Sequence, residues 1–197
     1  WPPEASRQAC FGRALEILHL VAGVSYYKAG LSSRIEVSDR ESIRGMAGFL
    51  TELYVHGLAE FGYVNQVDVA AQVHFPADDA SRDNNARPAC SLILPERALV
   101  AMGGGKDSLV GLDILQQAGL PVMPICVGGS ELIRQTVKTA GLPLIAIGRR
   151  LAPELSQMNR QGALNGHVPV TAINSAILLC ASVLYGFRYI VFSNERS

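Results

Sequence analysis

The stretch AMGGGKDSLV, residues 101–110, crowds three glycines, a lysine, an aspartate and a serine directly behind the apolar run ALV. Glycines let a backbone approach an anion closely and adopt positive φ, and the free N–H groups that begin a helix then face that anion. A helix start carries roughly half a positive charge, worth about 0.3–1 kcal/mol at an exposed site. Gly103, Gly104 and Gly105 therefore read as a phosphate-binding turn, with Lys106 near the anionic charge and Ser108 as a hydroxyl donor. Asp107 makes electrostatic sense in such a loop when it holds a Mg²⁺ that neutralises the phosphates. A plain strand-to-helix turn, with Asp107 as an ordinary helix-start residue, is the bland alternative. Two familiar glycine loops are excluded. G-x-x-x-x-G-K-[ST] needs glycine where Val100 stands and Ser or Thr where Asp107 stands, and G-x-G-x-x-G needs glycine at Ser108.

Such a loop needs a strand before it and a helix behind it, and the pattern after residue 92 provides both. ALVAM reads as a strand and SLVGLDILQQAG as a helix; PVMPICV, ELIRQTVKTAG and LPLIAIG then alternate strand, helix, strand. A long helix from about Val170 to Gly186 and the strand RYIVF follow. Short apolar strands separated by helices predict a parallel sheet covered on both faces. Ligands bind beyond the carboxyl ends of such strands. That rule draws attention to Ser193, Asn194, Glu195 and Arg196 after the last strand, and to the proline-restrained loop GHVPVT with His167.

Residues 1–92 have a different rhythm. Apolar residues at helical spacing predict one helix from Arg7 to Tyr27 and another from about Glu41 through Phe61, capped by Ser38 or Asp39. VDVAAQVHF alternates and predicts a strand over 67–75. A smaller α+β domain, ending in a polar linker at 76–91, is thus expected before an α/β domain at 93–197.

Seventeen basic residues balance seventeen acidic ones, so no overall field draws the chain to nucleic acid or to an anionic membrane. Neither ALEILHLVAGV nor AILLCASVLYGF reaches the about 20 apolar residues of a membrane span. Cys10, Cys90, Cys126 and Cys180 form no CxxC pair and read as small buried hydrophobes of a reduced, cytoplasmic protein. The start at Trp1 and the stop after FSNERS suggest a segment of a longer chain.

On Gly104, Gly105, Asp107 and Ser108, GGGKDS resembles the SGGxDS signature of the PP-loop ATP pyrophosphatases, with Gly103 in place of the leading serine. The resemblance implies a Rossmann-like sheet of the adenine nucleotide alpha-hydrolase type that binds ATP and cuts between its α- and β-phosphates. HLVAGVSYYKAG, LYVHGLAEFGYVNQ, GHVPVT and FSNERS, taken with GGGKDS, are similar to the ATP-dependent UDP-N-acetylmuramoyl-L-alanyl-L-glutamate epimerases of peptidoglycan synthesis. That likeness implies inversion of a terminal L-glutamate through an acyl-adenylate, releasing AMP and pyrophosphate. It implies ATP and Mg²⁺ as cofactors, a nucleotide-sugar dipeptide as substrate, and functional coupling to the ligase that adds L-glutamate.

On this reading Gly103, Gly104, Gly105, Lys106, Asp107 and Ser108 hold the polyphosphate, Asp107 also holds the metal, and Ser193 and Asn194 lie over the nucleotide. Inversion needs proton carriers on both faces of the α-carbon. His167 is the first candidate, followed by Lys28, Tyr27 and His56. Tyr26, Tyr27 and Phe61 also fit a plain core role, and Asn174 a cap or core hydrogen bond. Other adenylating PP-loop enzymes (a tRNA thiolase, an amidating synthetase) and a non-catalytic nucleotide sensor remain alternatives.

Overall fold

The computed structural model describes residues 5–38, 43, 45–76 and 92–194. Two compact units divide the chain. One is assembled from Trp1–Phe11, Ser91–Arg150 and Ile177–Ser197, the other from Gly12–Cys90 and Leu151–Ala176.

The first unit holds a four-stranded parallel sheet of β1 (Ala98–Ala101), β2 (Val122–Val127), β3 (Ile145–Ile147) and β4 (Tyr189–Val191), in the order β3-β2-β1-β4. Helices α6 (Lys106–Gln117) and α7 (Glu131–Thr139) join β1 to β2 and β2 to β3. Side chains alternate across the sheet, so neighbouring residues of β1 enter different cores. Val100 and Met102 pack with Leu112 of α6, Cys126 of β2, and Ile133 and Val137 of α7. Leu99 packs with Ile125, Phe187, and Leu178 and Ala181 of α9 (Val170–Tyr185). Both faces are therefore covered, which is why these strands read as unbroken apolar runs.

Arg97 ties the edge strand β4 to β1 just before β1 begins. Its guanidinium donates to the carbonyls of Tyr185 and Gly186 at 2.5 and 2.8 Å and lies 4.3 Å above the Phe187 ring. Its own carbonyl accepts from the amides of Arg188 and Tyr189. The orphan carbonyls at the end of α9 thus gain charged donors, and β4 is fixed in register beside β1.

The second unit is helical. Where one helix is expected over 7–27, the chain forms α1 (Ala5–Ala22) and α2 (Val24–Gly30). The break has an identifiable cause. Tyr54 inserts its phenol there and donates to the Leu20 carbonyl at 2.6 Å, and a Cβ on Gly23 would stand 2.8 Å from the Tyr54 hydroxyl oxygen. The next expected helix is also two, α3 (Ala47–Gly57) and α4 (Ala59–Asn65). Its predicted start at Glu41 and the Asp39 cap lie outside the described residues, as do the linker from residue 77, Cys90, Glu195 and Arg196.

The strand expected over 67–75 does not form. Val69–Gln72 is a helical turn, α5, capped by Asp68, whose carboxylate accepts from the Ala71 amide at 3.1 Å. The valine alternation misled because Val69 and Val73, both buried, are also one helical turn apart. No strand exists among the described residues of 5–76, so the α+β character expected of the N-terminal part is corrected to all-helical there. Helix α8 (Pro153–Arg160), which the sequence pattern did not suggest, packs against α2. No helix among the described residues is long and apolar enough to cross a membrane. Cys10, Cys126 and Cys180 are buried, as their apolar neighbours predicted, and form no disulfide among the described residues.

Candidate functional site

The glycine turn leaves β1 at its carboxyl end. Connections from β1 run through β2 to β3 on one side, while β4 lies on the other, so the strand order reverses between β1 and β4. Crevices at such reversals are where open α/β sheets take ligands. Gly103, Gly104 and Gly105 leave β1 at this reversal, and Gly104 has φ +87°, a left-handed conformation that suits glycine. The amides of these three glycines make no hydrogen bond among the described residues. Helix α6 begins directly behind them, so its first N–H groups join the same row of donors.

Lys106 and Asp107 occupy the exposed first turn of α6, and neither side chain has a partner among the described residues. Ser108 behaves differently from a plain ligand donor. It is buried, and its hydroxyl donates to the Gly105 carbonyl at 2.9 Å, so its hydrogen closes the turn. Ser193 follows β4 and packs against α6: a Cβ built on Gly111 would lie only 2.6 Å from its Oγ. Asn194 beside it is exposed. The loop and the strand end, separated by nearly ninety positions in the chain, thus meet the same helix α6 in one unit.

Sequence reasoning missed Gly111, although a glycine inside the helical pattern SLVGLDIL signals a close approach. It also missed a second turn on the same edge, Gly128-Gly129-Ser130 after β2. Ser130 caps α7 there by accepting from the Ile133 amide at 3.4 Å. Ile133 in turn packs on the first loop, its Cγ1 lying 3.3 Å from where a Cβ on Gly104 would be.

Whether this crevice suits Mg²⁺ can be judged from Asp107. No cluster of three or more His, Cys, Asp or Glu exists among the described residues, so no all-protein cage is available. Mg²⁺ characteristically takes one or two carboxylates together with phosphate oxygens and water. A single exposed carboxylate at the edge of a row of amides unbonded among the described residues fits that habit.

The proton-carrier candidates belong to the second unit. Lys28 is only 5% exposed, and its Nζ donates to Asn165 Oδ1 at 2.5 Å. Among the described residues no carboxylate pairs with it, and burial lowers its pKa from the ordinary lysine value. Tyr27 packs on Tyr54 with ring centroids 5.6 Å apart and the planes tilted by 60°. Its hydroxyl is buried without a partner, and burial pushes its pKa up, so it stays protonated at neutral pH. His167 is exposed, two residues beyond Asn165. The sequence pattern thus brings Lys28 to the GHVPVT segment through Asn165, a residue it did not single out.

The remaining candidates separate from this group. His56 pairs with Glu52 at 2.8 Å on an exposed face of α3. Phe61 is fully buried, as a core residue should be, whereas Tyr26 is 45% exposed and accepts from the Ala152 amide. The Asn174 carbonyl oxygen is buried and lacks the hydrogen bond expected of it.

A family model described as the MurL N-terminal domain matches residues 1–197. The chain is 48% identical over 185 residues to a UDP-N-acetyl-alpha-D-muramoyl-L-alanyl-L-glutamate epimerase of Xanthomonas oryzae pv. oryzae (strain MAFF 311018), covering 94% of this chain and 40% of that protein. It is 40% identical over 202 residues to the epimerase of the same description from Salinispora tropica, covering 100% of this chain and 42% of the relative. A third, from Micromonospora sp. (strain ATCC 39149), is 42% identical over 196 residues, covering 100% of this chain and 43% of the relative. The chain therefore spans about two fifths of the length of these relatives. No solved structure matches it.

Proposed function

The chain belongs to the MurL N-terminal domain family, and from that premise we propose that it supplies ATP-binding and proton-transfer residues for inverting the terminal L-glutamate of UDP-N-acetylmuramoyl-L-alanyl-L-glutamate. What supports the ATP part is the strand-order reversal between β1 and β4, where glycine amides unbonded among the described residues and Asp107 start α6, and Ser193 packs on the same helix. The relatives' description supports the substrate.

The chemistry explains why such a reaction would need ATP. Removing the α-proton of a free glutamate places a carbanion beside an existing negative charge. Converting the carboxylate to a mixed anhydride removes that charge and makes the carbonyl an electron sink. Each unit by which the α-proton's pKa falls is worth about 1.36 kcal/mol, close to tenfold in rate when fully felt in the transition state. In the proposed order the α-carboxylate oxygen attacks the α-phosphorus of ATP, and the bond to the bridging oxygen breaks as pyrophosphate leaves. A base then takes the α-proton, an acid returns one from the opposite face, and water cleaves the acyl–phosphate bond to release AMP. The sum is ATP, water and the L-epimer going to AMP, pyrophosphate and the D-epimer.

Gly103, Gly104, Gly105 and the start of α6 hold the polyphosphate in this reading, and Lys106 offsets its charge. Ser108 keeps the turn closed, while Ser193 and Asn194 flank the nucleotide. Asp107 would hold Mg²⁺, which neutralises phosphate charge when bound. Lys28 and His167 are the proposed proton carriers; for Lys28, burial without a counter-ion among the described residues favours an amine able to accept a proton. Tyr27, kept protonated, suits donation better than abstraction. The substrate arises when L-glutamate is added to the nucleotide sugar, so coupling to that ligase is part of the proposal.

The test is to incubate the full-length protein with ATP, Mg²⁺ and the L-glutamyl precursor in D₂O. AMP, pyrophosphate and deuterium at the glutamate α-carbon are expected together. AMP without deuterium would leave an ATP pyrophosphatase and refute the epimerase, and ADP would refute the α-phosphorus chemistry.

A further inference from the structure

We propose that Asn165 is a positioning residue for proton transfer: its side-chain amide holds the Lys28 amine in place without giving it a counter-charge, leaving Lys28 free to act as a base. The inference rests on the epimerase reading above and deepens it at one residue.

Four observations carry it. Lys28 is buried and directs Nζ at Asn165 Oδ1, and it has no other polar partner among the described residues. Asn165 is itself pinned, because its backbone carbonyl accepts from Asn65 Nδ2 at 3.1 Å, and that amide also donates to the Phe61 carbonyl. Gly166 donates its N–H to the same Oδ1 at 3.0 Å, so this oxygen is oriented by two donors. Finally, Gly166 lies against Phe61 so closely that a Cβ would sit 3.1 Å from Cδ2 and 3.3 Å from Cα. The loop is therefore seated on α4 while its side chain reaches α2.

Other titratable groups on the surrounding elements leave Lys28 alone. Tyr26 and Tyr27 on α2, Glu154 and Arg160 on α8, Glu60 on α4 and His167 on the loop make no hydrogen bond or ion pair with Nζ, and all but Tyr27 are exposed. Burial is what disfavours the ammonium form. A carboxylate at position 165 would reverse that balance by favouring the charged form. An amide of the same shape makes the hydrogen bond without doing so.

The variant Asn165→Asp separates this role from simple loop anchoring, since it keeps size and acceptor. Two measurements on the full-length protein decide the matter. In ¹³C-lysine-labelled protein the Lys28 Cε resonance is expected to titrate at higher pH in the variant than in the parent. Deuterium incorporated per AMP formed should fall at neutral pH and recover as pH rises, because each pH unit of displacement costs about tenfold in free base below the midpoint. AMP formation itself should persist. An unchanged Lys28 titration, or an unchanged deuterium-to-AMP ratio across pH, overturns the proposal. Absence of AMP with the parent protein would refute the ATP reaction instead, and the Lys28 titration would still decide the role of Asn165.

Discussion

Replacing Gly111 with alanine sets two effects of opposite sign against each other. Glycine inside a helix costs about 0.8–1.0 kcal/mol relative to alanine, so the substitution should stabilise α6. For a chain of this length that amounts to a rise in Tm of about 2–4 °C. Against it stands the new Cβ, 2.6 Å from Ser193 Oγ, well inside van der Waals contact. The oxygen is the end of a short, rotatable side chain at a strand terminus, so it can swing away without unfolding the sheet. The fold should therefore gain stability, or hold it, while the Ser193–Asn194 edge of the crevice is displaced. If Ser193 makes one hydrogen bond to the nucleotide, its loss is worth roughly 0.5–1.5 kcal/mol, or about two- to twelvefold in ATP affinity. Thermal unfolding followed by circular dichroism reads the first effect, and titration with a non-hydrolysable ATP analogue reads the second. A raised Tm with unchanged nucleotide affinity would refute the placement of β4's end beside the nucleotide. A fall in both would show that the helix, rather than the crevice, had been damaged.

Asp107→Ala removes a free surface carboxylate, so AMP formation should fall at least a hundredfold (on the order of 10², the scale of losing one electrostatic stabiliser) with an unchanged circular dichroism spectrum; retained turnover would contradict its metal role. Gly57→Ala drives a Cβ to 2.6 Å from Pro169 Cγ and 2.8 Å from Pro169 Cβ, and because a proline ring cannot rotate aside, a loss of about 1–3 kcal/mol is expected from the urea midpoint in spite of better helix propensity. Tyr54→Phe leaves the Leu20 carbonyl without its phenol donor and should cost about 1–3 kcal/mol in the same assay. Burial, and then the neighbouring Tyr27, raise the Tyr54 pKa, so its contribution to stability is full below the ordinary tyrosine value near pH 10 and is lost as pH rises beyond it. The alkaline fall of the urea midpoint should therefore be shallower in Tyr54→Phe than in the parent, and parallel curves would count against that cause.

Much of the sheet-bearing unit was legible because its signals are local. ALVAM, PVMPICV, LPLIAIG and RYIVF each contain their observed strand, and the helices between them end near the glycines that predicted their ends. The helical unit was harder to read. Gly23 looked like one tolerable glycine in a long apolar helix, and only the distant phenol of Tyr54 makes it a break. The alternation in VDVAAQVHF fits both a strand and a pair of valines one helical turn apart. Asp68 decides between them by capping, and it stood in the sequence as a usable signal that periodicity outweighed. Helix α8 went unseen because Pro153 opens a short, mostly polar segment whose one fully buried side chain is Leu155.

The two halves of the proposed chemistry differ in legibility for the same reason. An anion loop is one turn of chain, so its glycines, its acidic residue and its helix start appear side by side in the sequence. A proton carrier is defined by its surroundings, and those of Lys28 come from a residue 137 positions away. Had position 165 carried aspartate, the pair would have been an ion pair across the fold, and Lys28 would be tuned toward a permanent charge. The amide produces the opposite result with no change in net charge, and Asn-Gly reads in sequence as nothing more than a turn. What singles Lys28 out is therefore a missing partner: a buried amine that meets a neutral oxygen where most buried amines meet a carboxylate.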